Sequence, residues 1–121
     1  MTETVEKMIL RNLMYNDEYA RKVVPFLKEE YFSDGVEKRI LTNILGFISE
    51  YNNPPTKEAL IISLDKDKGL NSDSYNTAIE KINELHENRE TESDEQWLID
   101  QTEQFCKDKA VYNAIMESIH I

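Results

Sequence analysis

The sequence predicts an all-α protein, an orthogonal bundle of about six helices, on three observations. Apolar residues recur at spacings of three and four along almost the whole chain, with no alternating β-branched run bounded by turns. Glycine and proline are scarce, three of each, so loops must be few and short. Capping residues stand just ahead of several apolar runs: Thr4, the segment Ser33-Asp34-Gly35, and Thr56. With 121 residues and a 40% hydrophobic share, residues 1–121 read as one domain able to bury a single modest core.

The first helix is capped by Thr4 and carries Val5, Met8, Ile9, Asn12 and Leu13 on one face. Asn16-Asp17 marks a turn into a second, short helix whose acidic first turn suits the positive end of the helix dipole. Tyr19, Val23, Val24, Phe26 and Leu27 form its buried side, and Pro25 limits its length. Tyr31 and Phe32 are expected to plug the core beneath the helix that follows. That helix is the apolar centre of the chain: Ile40, Ile44, Phe47, Ile48 and Tyr51 share one face, Leu41 and Leu45 widen it, and Pro54-Pro55 stop it. All other segments are expected to pack around it.

Thr56 caps a fourth, short helix with Ala59, Leu60, Ile61 and Leu64 inside. The loop from Asp65 to Gly69 has the Asp-x-Asp start of a calcium loop, but the fifth position is Gly69, the sixth Leu70 and the twelfth Asn76, so no calcium site is expected. The fifth helix begins at Asn71 or Ser72 and buries Tyr75, Ala78, Ile79, Ile82 and Leu85, with His86 at its end as a capping or surface residue. Asn88 to Glu92 is a polar link. Ser93-Asp94-Glu95-Gln96 fits a capping box, with Ser93 reaching the Gln96 amide, and opens the longest helix. Leu98, Phe105, Tyr112 and Ile119 recur along it every seven residues, with Cys106, Ile115 and Met116 beside them. The half up to Cys106 is expected in the core and the rest is free for neighbouring helices or another chain.

The charge excludes several functions. The chain carries 14 basic and 24 acidic residues, and residues 61–121 alone carry 6 and 14. Such a surface repels phosphate, so sequence-independent nucleic-acid binding by this domain alone is disfavoured. A lone cysteine, Cys106, makes no internal disulfide or zinc spacing, in keeping with a reducing cytoplasm. Neither a signal peptide nor a membrane span is expected. Phosphate-binding loops, His-Glu-x-x-His and Gly-x-Ser-x-Gly are missing from the sequence, and His86, His120 and Cys106 do not make a nucleophile–base pair. No catalytic, cofactor or metal residue is therefore assigned.

The order of several short pieces carries a resemblance. They are Ile9 with Leu13, Asp17-Glu18-Tyr19, Val24-Pro25, Glu30-Tyr31-Phe32 with Gly35, and Glu50-Tyr51 with Pro55 and Ala59-Leu60. Trp97-Leu98, Thr102-Glu103 and Ala110 to Asn113-Ala114 complete the series. Together they resemble the N-terminal domain of the DnaB family of replicative DNA helicases, and within it the helicases of T-even phages, over essentially the whole chain. The resemblance implies an all-helical, non-catalytic domain ahead of a RecA-like motor that is absent here and that uses ATP and magnesium. It also implies a homo-hexamer with six such domains as a collar, primase and a helicase loader as partners, and a place in the cytoplasm of an infected bacterium. The uncapped, apolar end (Ile115, Met116, Ile119, Ile121) reads as a helix cut from something longer.

Two surfaces follow. Tyr112, Ile115, Met116 and Ile119 are the expected subunit or linker contact, and Glu84, Glu87, Glu90, Glu92, Asp94 and Glu95 the expected acidic face for a basic partner. The rival reading is a free-standing acidic helical adaptor or inhibitor of a nucleic-acid enzyme. A third, a small metal- or nucleotide-dependent enzyme, predicts a ligand bound on purification.

Overall fold

The computed structural model describes residues 4–91 and 94–119. It is an all-α bundle of six helices: α1 (Val5–Tyr15), α2 (Asp17–Val23), α3 (Gly35–Tyr51), α4 (Lys57–Asp65), α5 (Ser72–Glu87) and α6 (Glu95–Ile119). Two single 3-10 turns, Val24–Phe26 and Glu29–Tyr31, link α2 to α3. Among the described residues there is no strand.

Capping sets most of the boundaries. Thr4, Asn16, Asp34, Thr56 and Asn71 each accept a backbone N–H of the first turn they precede, and Asn71 and Ser74 close a full capping box. Pro25 lies in the 3-10 turn that ends α2, where its missing donor costs no helical bond. Asn52 ends α3 at φ 59°, in the left-handed region that Asn tolerates better than most non-glycine residues. At the start of α6, Asp94 accepts the Trp97 N–H at 2.8 Å and Gln96 Nε2 donates to Asp100 at 2.9 Å. Ser93 lies outside the described residues.

The core is shared between two helices rather than gathered around α3. α1 packs on α2, α3, α5 and α6, and its residues Ile9 to Met14 are all buried, so it is covered on every side. α3 packs on α1, α4, α5 and the turn at Glu29–Tyr31, through Ile40, Leu41 and Ile44, which are wholly buried. Its second half leaves the core. Phe47 is half-buried against Tyr51 (ring centroids 4.6 Å), Ile48 packs at the edge, and Tyr51 is 56% exposed, contrary to the expectation that all three lie inside. The face is right but the length is not. At ~1.5 Å per residue α3 is about 9 Å longer than α1, and Tyr51 is its last residue.

Tyr31 and Phe32 are buried, and Phe32 meets Phe105 of α6 edge to face with centroids 5.9 Å apart. Two polar links tie distant segments together inside the body. Tyr19 Oη lies 2.6 Å from Thr102 Oγ1, whose own proton goes to the Leu98 carbonyl at 2.7 Å, so the tyrosine is the donor. Burial raises the Tyr19 phenol well above its ordinary range, so it stays protonated. Glu37, also buried, faces Lys81 of α5 at 3.7 Å, and desolvation raises its carboxyl despite that lysine.

Candidate interaction surfaces

The Asp65–Gly69 loop is a clamp rather than a cation site. Both Asp67 oxygens are occupied. Arg39 Nη2 donates to Oδ1 at 2.6 Å and Arg39 Nε to Oδ2 at 2.9 Å. Asn43 Nδ2 adds 2.9 Å and the Gly69 N–H 2.8 Å. These donors hold the carboxyl down at about 2. The Asn43 carbonyl oxygen in turn accepts from Ser63 at 2.6 Å, so the whole set staples α3 to α4 and the turn beyond it. No group of three or more potential metal ligands exists among the described residues. His86 is neither a cap nor a surface residue. Its Nδ1 lies 2.9 Å from Tyr15 Oη, half-buried, and joins the end of α5 to the end of α1.

Sequence spacing alone missed Arg11 and Glu37, charged residues buried in the helical interior. Each lies between the apolar positions that define the pattern, and only the neighbours α1 and α3 acquire on folding explain the burial. Cys106 is buried too, and burial pushes its thiol up to about 11, which keeps it protonated and a poor nucleophile.

The residues of the expected acidic face have different local partners. Glu84 pairs with Lys7 at 3.3 Å, Glu95 with Lys22 at 3.6 Å, and Asp94 is spent on the α6 cap. Glu87 and Glu90 are exposed, and Glu92 lies outside the described residues.

The end of α6 carries five of the eight exposed large apolar residues among the described residues. Leu98, Thr102 and Cys106 are its last buried residues. Asn113 Nδ2 still reaches the body, donating to the Glu30 carbonyl at 3.1 Å. From Ala114 to Ile119 every side chain is exposed. Val111, Tyr112, Ile115 and Ile119 are each more than half exposed and Met116 is 38% exposed, while the Lys109 ammonium lies over the Phe105 and Tyr112 rings at 5.7 and 5.9 Å. The four predicted contact residues, Tyr112, Ile115, Met116 and Ile119, thus share one helix and one exposed segment. No described helix is long and apolar enough to cross a membrane.

Comparison with known proteins agrees with the resemblance in its coarse part. The chain is 29% identical over 115 residues, 95% of its length, to the DnaB-like replicative helicase of Enterobacteria phage T4, and spans 23% of that protein. No protein-family model matches the chain.

Proposed function

We propose that this chain is the non-catalytic N-terminal domain of a DnaB-like replicative DNA helicase, serving ring assembly and the docking of primase and loader. The observation that carries the reading is similarity along nearly the whole chain to less than a quarter of one such helicase. The exposed end of α6 supports it, because a domain that works by holding subunits together needs an apolar surface outside its own core. In this reading the chain does no chemistry; ATP and magnesium belong to a motor outside it. Six copies in a ring raise the local concentration of any partner they bind, so weak single contacts suffice. Glu87, at the end of α5, and Glu90, in the link to α6, are exposed and make no ion pair among the described residues, and they are the contacts offered to a basic partner.

The test has two parts. Reading the coding sequence past codon 121 comes first. A linker and a phosphate-binding loop support the proposal, whereas a stop codon in a genome encoding no helicase motor refutes it. The primase of the same genome is then titrated against the chain and against Glu87→Lys/Glu90→Lys at two salt concentrations. Several-fold weaker binding with a shallower salt dependence is expected, and unchanged binding removes the acidic contact.

A further inference from the structure

We infer that a segment of a partner protein carrying lysine or arginine docks in the cleft between the end of α1, the start of α2 and the link from α5 to α6. The inference rests on the docking reading and gives the basic partner a place. The cleft is about 840 Å³. Arg11 and Asn12, both buried, form its floor, and the exposed Asp17, Glu18, Arg89 and Glu90 stand around its mouth.

The carboxylates at the mouth are uncommitted. Asp17 and Glu18 come from the first turn of α2 and Glu90 from a link far away in sequence, yet all three border one cleft. Among the described residues none of the three side chains makes an ion pair. Glu84 and Glu95, by contrast, pair with Lys7 and Lys22, and Asp94 caps α6. The cations of the cleft do not neutralise it. Arg11 is 2% exposed and already engaged, and Arg89 Nη1 donates to the His86 carbonyl at 2.7 Å. Carboxylates gathered around a concave site act together, because its low-dielectric walls focus their field.

The floor adds an observation independent of charge. Asn12 is 8% exposed, and its Nδ2 donates to the Met8 carbonyl at 2.8 Å. Among the described residues no donor reaches its Oδ1, which leaves an open acceptor position at the bottom of the cleft. An ammonium or guanidinium carries only donors, so one such group can satisfy both this oxygen and the carboxylates above it. An anion would bring acceptors to an acceptor and three like charges, and is excluded. A bare metal ion is disfavoured too, since no group of three or more potential ligands exists among the described residues. The volume lies within the roughly 300–1,000 Å³ of sites that enclose a ligand or a few side chains, so the occupant is a protruding basic segment and not a flat basic face.

Chemical-shift mapping with a short blocked peptide of alternating alanine and arginine, at low salt, tests the place. The largest amide shifts are expected at residues 11–18 and 89–91, the side-chain amide of Asn12 among them. Asp17→Asn/Glu18→Gln should weaken the peptide about fivefold. Asp73→Asn/Glu80→Gln removes the same charge from exposed positions of α5 and also alters an acidic first turn; it should weaken the peptide less than about twofold. Equal losses in the two variants, or shifts spread over the whole acidic surface, overturn the inference. The primase of the same genome is then titrated against the same variants. Primase binding that the cleft pair leaves unchanged also overturns it, with the docking reading intact. If the peptide maps to the cleft but the primase binds no form of the chain, the docking of primase falls and the basic site stands.

Discussion

The Arg39–Asp67 clamp should govern how the fold responds to acid. Asp67 receives four hydrogen bonds and is only 5% exposed, while Arg39 is 37% exposed. Its carboxyl titrates at about 2 in the folded chain against 3.8 when free. A folded value below the unfolded one means that the contribution is complete above about pH 5 and disappears as pH falls through 4 towards 2. The shift corresponds to a ceiling of about 2.5 kcal/mol at 1.36 kcal/mol per unit, and solvent screening of the exposed guanidinium reduces it to about 1–2 kcal/mol. Urea unfolding of the unaltered chain and of Asp67→Ala at pH 7, 5, 3 and 2 reads this directly. The gap should hold from pH 7 to 5 and lose about four fifths of its size by pH 2. A double-mutant cycle with Arg39→Ala should assign about 1 kcal/mol of it to the pair. A gap that is absent at pH 7, or equal at pH 7 and pH 2, would falsify the account, since the clamp would then contribute nothing through its charge.

Three further outcomes are expected. Thr102→Val should destabilise more than Tyr19→Phe, by about 1 kcal/mol in urea midpoint analysis, because it strands a buried phenolic donor, whereas the phenylalanine leaves the threonine bonded to the Leu98 carbonyl; equal costs would contradict the assigned donor. Glu37→Gln should raise the urea midpoint at pH 7, and the gain should close as pH falls, because a carboxyl raised by burial weakens the fold while ionised; a loss at pH 7 would mean that Lys81 outweighs desolvation. Asn52→Ala should lower the melting temperature by an amount equivalent to about 1 kcal/mol, and Asn52→Gly should not, since the position is left-handed. Similar melting temperatures for the two variants would deny that the backbone there is strained.

What the sequence made legible was local. The caps at Thr4 and Thr56, and the Asp34 cap within the expected segment Ser33-Asp34-Gly35, each act within three residues of their own position, so their reading needed no tertiary knowledge. The expected use of the first half of α6, up to about Cys106, in the core agrees with the burial of Leu98, Thr102 and Cys106. The missed features join segments far apart in sequence. Arg39 and Asp67 are 28 residues apart, Tyr15 and His86 are 71, and Tyr19 and Thr102 are 83. Burial of Tyr51 was misjudged for a related reason: periodicity gives the face of a helix but not the length of the body beside it. On the exposed part of α6, spacing alone selected Tyr112, Ile115, Met116 and Ile119, which lie in water in the folded chain.

The two halves of α6 also differ in what makes them helical. From Leu98 to Cys106 tertiary packing holds the helix, with Tyr19 fastened to Thr102 from outside. From Ala114 to Ile119 the side chains are solvated and the backbone bonds stand without that support. A free peptide of that length would not be helical, because starting a helix is far less favourable than extending one. Here the buried half is a permanent nucleus, and each further residue needs only propagation. A partner that meets the exposed half therefore meets a formed helix, and the ordering that a disordered tail would undergo on binding has already taken place when the core folds.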